Sequence, residues 1–109
     1  MPDPDDFVSQ VRKCMSRRNG FSEKRMFGGT GFLLNGNMCC GVHKGRLILR
    51  LGIAAAEEAL TLPHVKPFDI TGRAMKGWVM INERFLNGEA EIRNWVAKAA
   101  TFACKLEPK

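Results

Sequence analysis

Residues 25–52 read RMFGGTGFLLNGNMCCGVHKGRLILRLG. From Arg25 to Leu34 the residues alternate. Met26, Gly28, Thr30, Phe32 and Leu34 fall on one side of an extended chain, and Phe27, Gly29, Gly31 and Leu33 on the other. Asn35-Gly36 is the preferred pair for a two-residue hairpin turn, because both positions need positive φ. Met38 to His43 then returns antiparallel. Lys44-Gly45 is a second turn signal, and Leu47, Leu49 and Leu51 alternate with Ile48 and Arg50 in a third strand. The stretch is a three-stranded meander in which the glycines serve turns and close packing.

Working outward, DPDDFVSQVRKCMSRRNG reads as a helix. Phe7, Val8, Val11, Cys14 and Met15 share one face. Asp3 is placed to cap it, and Pro4 suits the first helical position. Asp5 and Asp6 complement the positive end of the dipole, Arg17 and Arg18 the negative end, and Gly20 can stop the helix in the left-handed region. On the other side of the meander, IAAAEEAL (53–60) is made of strong helix formers. PFDIT (67–71) and GWVMI (77–81) predict two more short strands, joined by the basic link GRAMKG. The last helix spans about Asn87 to Leu106, with Ile92, Trp95, Val96, Ala99, Phe102, Ala103 and Leu106 on one face and Pro108 beyond its end. The order α-β(3)-α-β(2)-α predicts a two-layer α+β domain, an antiparallel sheet with helices on one face. Both sets of strand residues include large apolar side chains, so the uncovered face is not wholly polar. Such a face favours a protein partner or a homodimer.

The chain has 109 residues and 12.2 kDa, the size of one domain spanning residues 1–109. Its charged fraction of 26% and hydrophobic fraction of 45% exclude wholesale disorder. No apolar stretch reaches the roughly 20 residues a bilayer span needs, and MPDPDDF lacks the order of a signal peptide. A cytoplasmic protein with no membrane role is expected. There Cys14, Cys39, Cys40 and Cys104 are free thiols. The net charge is +6, with Arg12, Lys13, Arg17, Arg18, Lys24 and Arg25 concentrated between residues 12 and 25 against Glu23 alone.

Catalytic and cofactor chemistry find little purchase. FGGTGF matches neither phosphate-loop nor dinucleotide-loop spacing, and more strand follows it. Neighbours in a regular strand point to opposite faces. Cys39 and Cys40 are therefore expected to diverge, one buried and one partly exposed, and Cys40 to oppose His43. With no C-x-x-C pair, no metal site is expected. His43 and His64 form no recognisable nucleophilic set with a cysteine, and carboxylates are sparse. A thiol- or histidine-dependent enzyme is the weakest alternative. No catalytic, cofactor-binding or metal residue is assigned. The remaining signal is the basic group Arg12, Lys13, Arg17, Arg18, Lys24 and Arg25, which suits nucleic acid or another anion through phosphate contacts, or else is a solvated face.

Arg25 to Phe32 (R-M-F-G-G-x-G-F), the Asn-Gly hairpin and the strand R-L-I-L-R-L together resemble the N-terminal domain of TfoX/Sxy-type proteins. Pro67-Phe68, Met75, Trp78 to Ile81 and a long helix with Trp95 and alanines extend the similarity over nearly the whole chain. The resemblance implies an α-β(3)-α-β(2)-α fold similar to secretion chaperones, and a link to regulators of bacterial natural competence. It carries no agreed catalytic residues. The length fits a stand-alone domain without the second, C-terminal domain of longer members. The expected function is a small non-enzymatic binding or regulatory module. It would engage a protein partner or self-associate, with nucleic-acid association through the basic helix as the alternative.

Overall fold

A computed structural model describes residues 4–26, 29–68, 76–86 and 88–107. Helix α1 covers Pro4–Met15, followed by strands β1 (Phe21–Met26), β2 (Gly29–Leu34), β3 (Asn37–His43) and β4 (Arg46–Arg50). Helix α2 spans Ile53–Ala59, β5 Val65–Pro67 and β6 Trp78–Asn82, and α3 closes the chain at Glu89–Ala103 after a 3-10 turn at Glu83–Phe85. The six strands form one antiparallel sheet in the order β1-β2-β3-β4-β6-β5. The α+β class and the layering are as read from sequence.

The sheet nevertheless holds six strands where five were expected. Residues assigned above to one strand from Arg25 to Leu34 belong to two, and the added strand β1 runs antiparallel to β2 with Met26 opposite Gly29. Phe27 and Gly28 lie outside the described residues, as do Asp3, residues 69–71 of the expected fourth strand, Met75, Asn87 and Pro108. The described part of that fourth strand starts earlier than predicted, at Val65.

Both turn signals hold. Asn35 and Gly36 have φ of 54° and 81°, and Lys44 and Gly45 have 50° and 72°. Gly20 also has positive φ (79°), but its freedom is spent on entering β1 rather than on stopping α1. Its carbonyl oxygen accepts from the Asn35 amide at 2.9 Å, and a β-carbon there would collide with the Asn35 side chain. The first strand is thereby fastened to the first hairpin turn.

One face of the sheet is covered. Phe7, Val11 and Met15 of α1, Ala56 and Ala59 of α2, and Ile92, Trp95, Val96, Ala99, Ala100 and Ala103 of α3 join Phe32, Leu34, Leu47, Leu49, Val79 and Ile81 in a single core. Asn37 is a buried polar residue in this layer, and its Nδ2 donates to the Glu107 carbonyl oxygen at 2.8 Å, tying β3 to the segment after α3.

The cysteine pair departs from expectation. Phe32 pairs with Cys40 but Leu33 with Met38, so β3 carries one extra residue, Cys39. This is a β-bulge, which sets two residues of one strand against one of the next and breaks the alternation. Cys39 and Cys40 therefore both enter the helix-covered core, and both are fully buried. The Cys39 Sγ lies 3.9 Å from the Met15 Sδ.

Candidate binding surfaces

Strand register defines the uncovered face. Lys24 pairs with Gly31, Gly31 with Gly41, Gly41 with Ile48, Ile48 with Met80 and Met80 with Lys66, a row crossing all six strands. Its neighbours on the same face are Leu33 opposite Met38, Arg50 opposite Trp78, and His43–Arg46–Asn82. Ile48 and Phe68 are only 4% and 7% exposed, yet neither belongs to the main core. Leu33, Met38, Trp78 and Met80 on the same face are half-buried. Phe68 and Trp78 rings approach to 5.7 Å, and the Arg50 guanidinium lies 5.6 Å from the Trp78 centroid, within cation–π range.

The frame of this set is cationic. Lys24, Arg46 and Lys66 are exposed, and His43 and Arg50 half-buried. Among the described residues no acid occupies a strand position on this face, and Glu57 of α2 shares a pocket with Trp78 at its end. Gly31 and Gly41 stand opposite each other in the middle of the row, and a β-carbon on Gly41 would sit 2.8 Å from the Thr30 carbonyl oxygen. The two glycines let β2 and β3 approach closely, and both are buried, with the Met38 Cε 3.2 Å from where a Gly41 β-carbon would sit.

The sheet edges are poor templates for an added strand. β1 carries Glu23, Lys24 and Arg25, and β5 has three residues ending in Pro67, which lacks an N–H.

The basic residues singled out above are dispersed over four places. Arg12 donates from Nε and Nη2 to the two carboxylate oxygens of Glu23, both at 2.8 Å. That pairing holds the Glu23 carboxyl below the ordinary glutamate value. Lys24 belongs to the open face, and Arg25 is exposed on the edge strand with its register position on the helix side. Only Lys13, Arg17 and Arg18 come together. With Cys14, Glu89 and Arg93 they line a cleft of about 610 Å³ between α1 and α3. Glu89 Oε1 is 3.6 Å from the Lys13 Nζ and 3.9 Å from an Arg93 guanidinium nitrogen. The Arg18 Nε is buried with no hydrogen-bond partner. A desolvated, unsatisfied donor costs about 1–3 kcal/mol. Arg93 escaped sequence reading because it lies on the last helix, and only its spacing of four from Glu89 hinted at a shared face.

A second concavity of about 460 Å³ lies between α2 and α3, lined among others by Leu51, Leu62, Trp95, Lys98, Phe102 and Lys105.

The thiols and imidazoles are set apart. Hydrogen bonding from Cys39, followed by burial, pushes the Cys40 thiol well above its ordinary value. Burial also raises the half-buried Cys14, with Glu89 adding to the effect and Arg93, Arg18 and Lys13 opposing it. A raised pKa keeps a thiol protonated and a poor nucleophile. His43 belongs to the opposite face of the sheet from Cys39 and Cys40, and His64 stacks on Phe85 with centroids 5.7 Å apart. Cys104 is exposed. No group of three His, Cys, Asp or Glu side chains suited to a metal occurs among the described residues. No described helix is long and apolar enough to cross a membrane.

Comparison with known proteins places this geometry. The model of the TfoX N-terminal domain matches residues 5–103. No curated protein gives a significant match. Among solved structures, the Deinococcus radiodurans protein DR2400, with a domain of the DUF419 family, is similar at a TM-score of 0.69 and 15% identity. The match covers 90% of this chain and 78% of that one. At that identity the likeness concerns the fold alone.

Proposed function

Because the chain belongs to the TfoX N-terminal domain family, we propose that it is a non-catalytic recognition module with a regulatory role. In this proposal the open face of its sheet docks a polypeptide segment that carries apolar anchors flanked by acidic residues. The row Lys24–Gly31–Gly41–Ile48–Met80–Lys66 carries the proposal. Gly31, Gly41 and Ile48 at its centre are buried, while Met80 in the row and Leu33, Met38 and Trp78 beside it stay half-exposed, and a cation stands at each end. Apolar anchors supply affinity at such a surface, and complementary charge supplies orientation and partner choice.

Charge also supports a foreign partner over a second copy. Two copies stacked through this face would bring the cations Lys24, Arg46 and Lys66 of one copy toward those of the other, with no acid at the described strand positions of the face to offset them. Like charges brought together at an interface cost energy and suppress that pairing. An acidic partner is favoured over a homodimer. The proposed setting is the cytoplasm, where Cys39 and Cys40 stay reduced.

Selection of peptides from a random displayed library tests the reading. Acidic sequences with Leu, Ile, Phe or Met anchors should be enriched. Their amide-shift perturbations should map to β2, β3, β4 and β6, and binding should weaken with salt. The double variant Arg46→Glu, Lys66→Glu should lower affinity by about tenfold or more. Enrichment of neutral or basic peptides, or binding that the double variant leaves unchanged, would overturn it.

A further inference from the structure

We infer that the cleft between α1 and α3 is a separate binding site for an oligophosphate group, with Arg17, Arg18 and Arg93 as its principal contacts. The site is on the helix layer, away from the open sheet face, and does not depend on the proposal above.

Three observations converge on it. The first is charge: Lys13, Arg17, Arg18 and Arg93 share the cleft with a single carboxylate, Glu89. Glu89 is already divided between Lys13 and Arg93 at 3.6 and 3.9 Å. Among the described residues neither Arg17 nor Arg18 has a carboxylate within ion-pair distance.

The second is the orphaned Arg18 Nε, buried and without a hydrogen-bond acceptor. Buried polar groups in folded proteins are nearly always satisfied, so an unsatisfied one asks for a missing partner. A guanidinium edge takes two oxygens of a phosphate at once through Nε and a terminal nitrogen, which supplies the acceptor this atom lacks.

The third is the position of Arg93. Complementation of the α1 dipole explains Arg17 and Arg18 alone, since they follow the end of that helix at Met15. Arg93 lies near the start of α3, which begins at Glu89, toward the end where a cation gains nothing from the dipole. Its partner Glu89, one turn earlier, is at the outer limit of an ion pair at 3.9 Å and is shared with Lys13, and a ligand anion between the two helices would engage all three arginines together.

The shape argues for a small ligand over a duplex. The cations line the walls of a concavity of about 610 Å³, and the other cations of the first third of the chain lie elsewhere. Arg12 is occupied by Glu23, and Lys24 belongs to the other face of the sheet. No continuous basic track of the kind a nucleic-acid backbone follows joins them.

Titration of the whole chain with tripolyphosphate, ATP, adenosine and sulfate at matched ionic strength tests the inference, read by calorimetry and amide shifts. Tripolyphosphate and ATP should bind with Kd below about 1 mM and shift residues at the end of α1 and the start of α3, while adenosine and sulfate do not. ATP binding more tightly than tripolyphosphate would identify a nucleotide as the source, and equal affinities a free oligophosphate. Arg18→Gln and Arg93→Gln should each weaken binding by about tenfold. Arg25→Gln, outside the cleft, should leave it unchanged. Arg93→Gln, at an exposed helical position, serves where Arg18→Gln fails to fold. The inference fails if tripolyphosphate does not bind at about 10 mM, or if both cleft variants bind like the parent. It also fails if a single-stranded oligonucleotide binds more tightly than tripolyphosphate and ignores Arg93→Gln.

Discussion

Along β6, Val79 and Ile81 are fully buried beneath the helices, whereas Trp78 and Met80, one position away, remain half-exposed on the other side. All four are large apolar side chains. Across the sheet the same contrast repeats. The rows Arg25–Thr30–Val42–Leu47–Ile81–Val65 and Glu23–Phe32–Cys40–Leu49–Val79–Pro67 are on the helix side, buried at Val42, Leu47, Ile81, Val65, Phe32, Cys40, Leu49 and Val79, and the row through Ile48 and Met80 is on the other side. The covered face is apolar because α1, α2 and α3 seal it, so its residues are needed for folding. The open face keeps Leu33, Met38 and Met80 half-exposed between Lys24, Arg46 and Lys66, and only its end at Arg50 and Trp78 reaches Phe102 of α3 and the side of α2. Burial on folding explains the first composition. The second is suited to recognition.

Substitutions separate the two faces by size of effect. The largest loss is expected at Phe32, which is fully buried and stacks on Phe21 with centroids 6.1 Å apart. Phe32→Ala should cost about 3–5 kcal/mol of unfolding free energy in a urea titration. A loss below about 1 kcal/mol would mean that the covered face is looser than described.

A smaller cost is expected at Gly41, whose register position is on the open-face side of β3. A methyl group there meets the Thr30 carbonyl oxygen, a backbone atom that moves only with its strand. Gly41→Ala should destabilise by about 1–3 kcal/mol. A neutral or stabilising outcome would show that β2 and β3 do not approach closely at this point.

The smallest effect belongs to the exposed Arg12–Glu23 pair, which links α1 to β1. Its arginine donates two hydrogen bonds to the carboxylate and lowers the Glu23 pKa in the folded state below its ordinary value of 4.5. A depressed acid contributes stability above its unfolded pKa and loses it as pH falls through the native value. Glu23→Gln should therefore cost less than about 1 kcal/mol at neutral pH, because both side chains are solvent-accessible. The gap to the parent should close on acidification. A gap that persists or widens at acid pH would assign the effect to something other than this pair.

Much of the fold is visible in sequence because it is written in local chemistry. Asn35-Gly36 and Lys44-Gly45 specify their turns through positive φ, and the 3.6-residue spacing from Phe7 to Met15 and from Ile92 to Ala103 specifies two helices. Strand β1 is not visible, since Ser22-Glu23-Lys24-Arg25 reads as solvated charge and its pairing with β2 is non-local. The bulge at Cys39 is hidden for a related reason. It is a property of register between two strands, and alternation within one strand predicts that Cys39 and Cys40 diverge. The basic residues were legible as charge but not as a site. Arg12 is engaged by a glutamate on the unforeseen strand, and the cleft is completed by Arg93 from the far end of the chain.

The two-face account is tested most directly at a single pair of neighbours, by urea unfolding of Met80→Ala and Ile81→Ala. Ile81→Ala should cost about 2–5 kcal/mol, and Met80→Ala less than about 1.5 kcal/mol. Equal losses at the two positions would contradict the account, because the open face would then be as deeply committed to folding as the covered one.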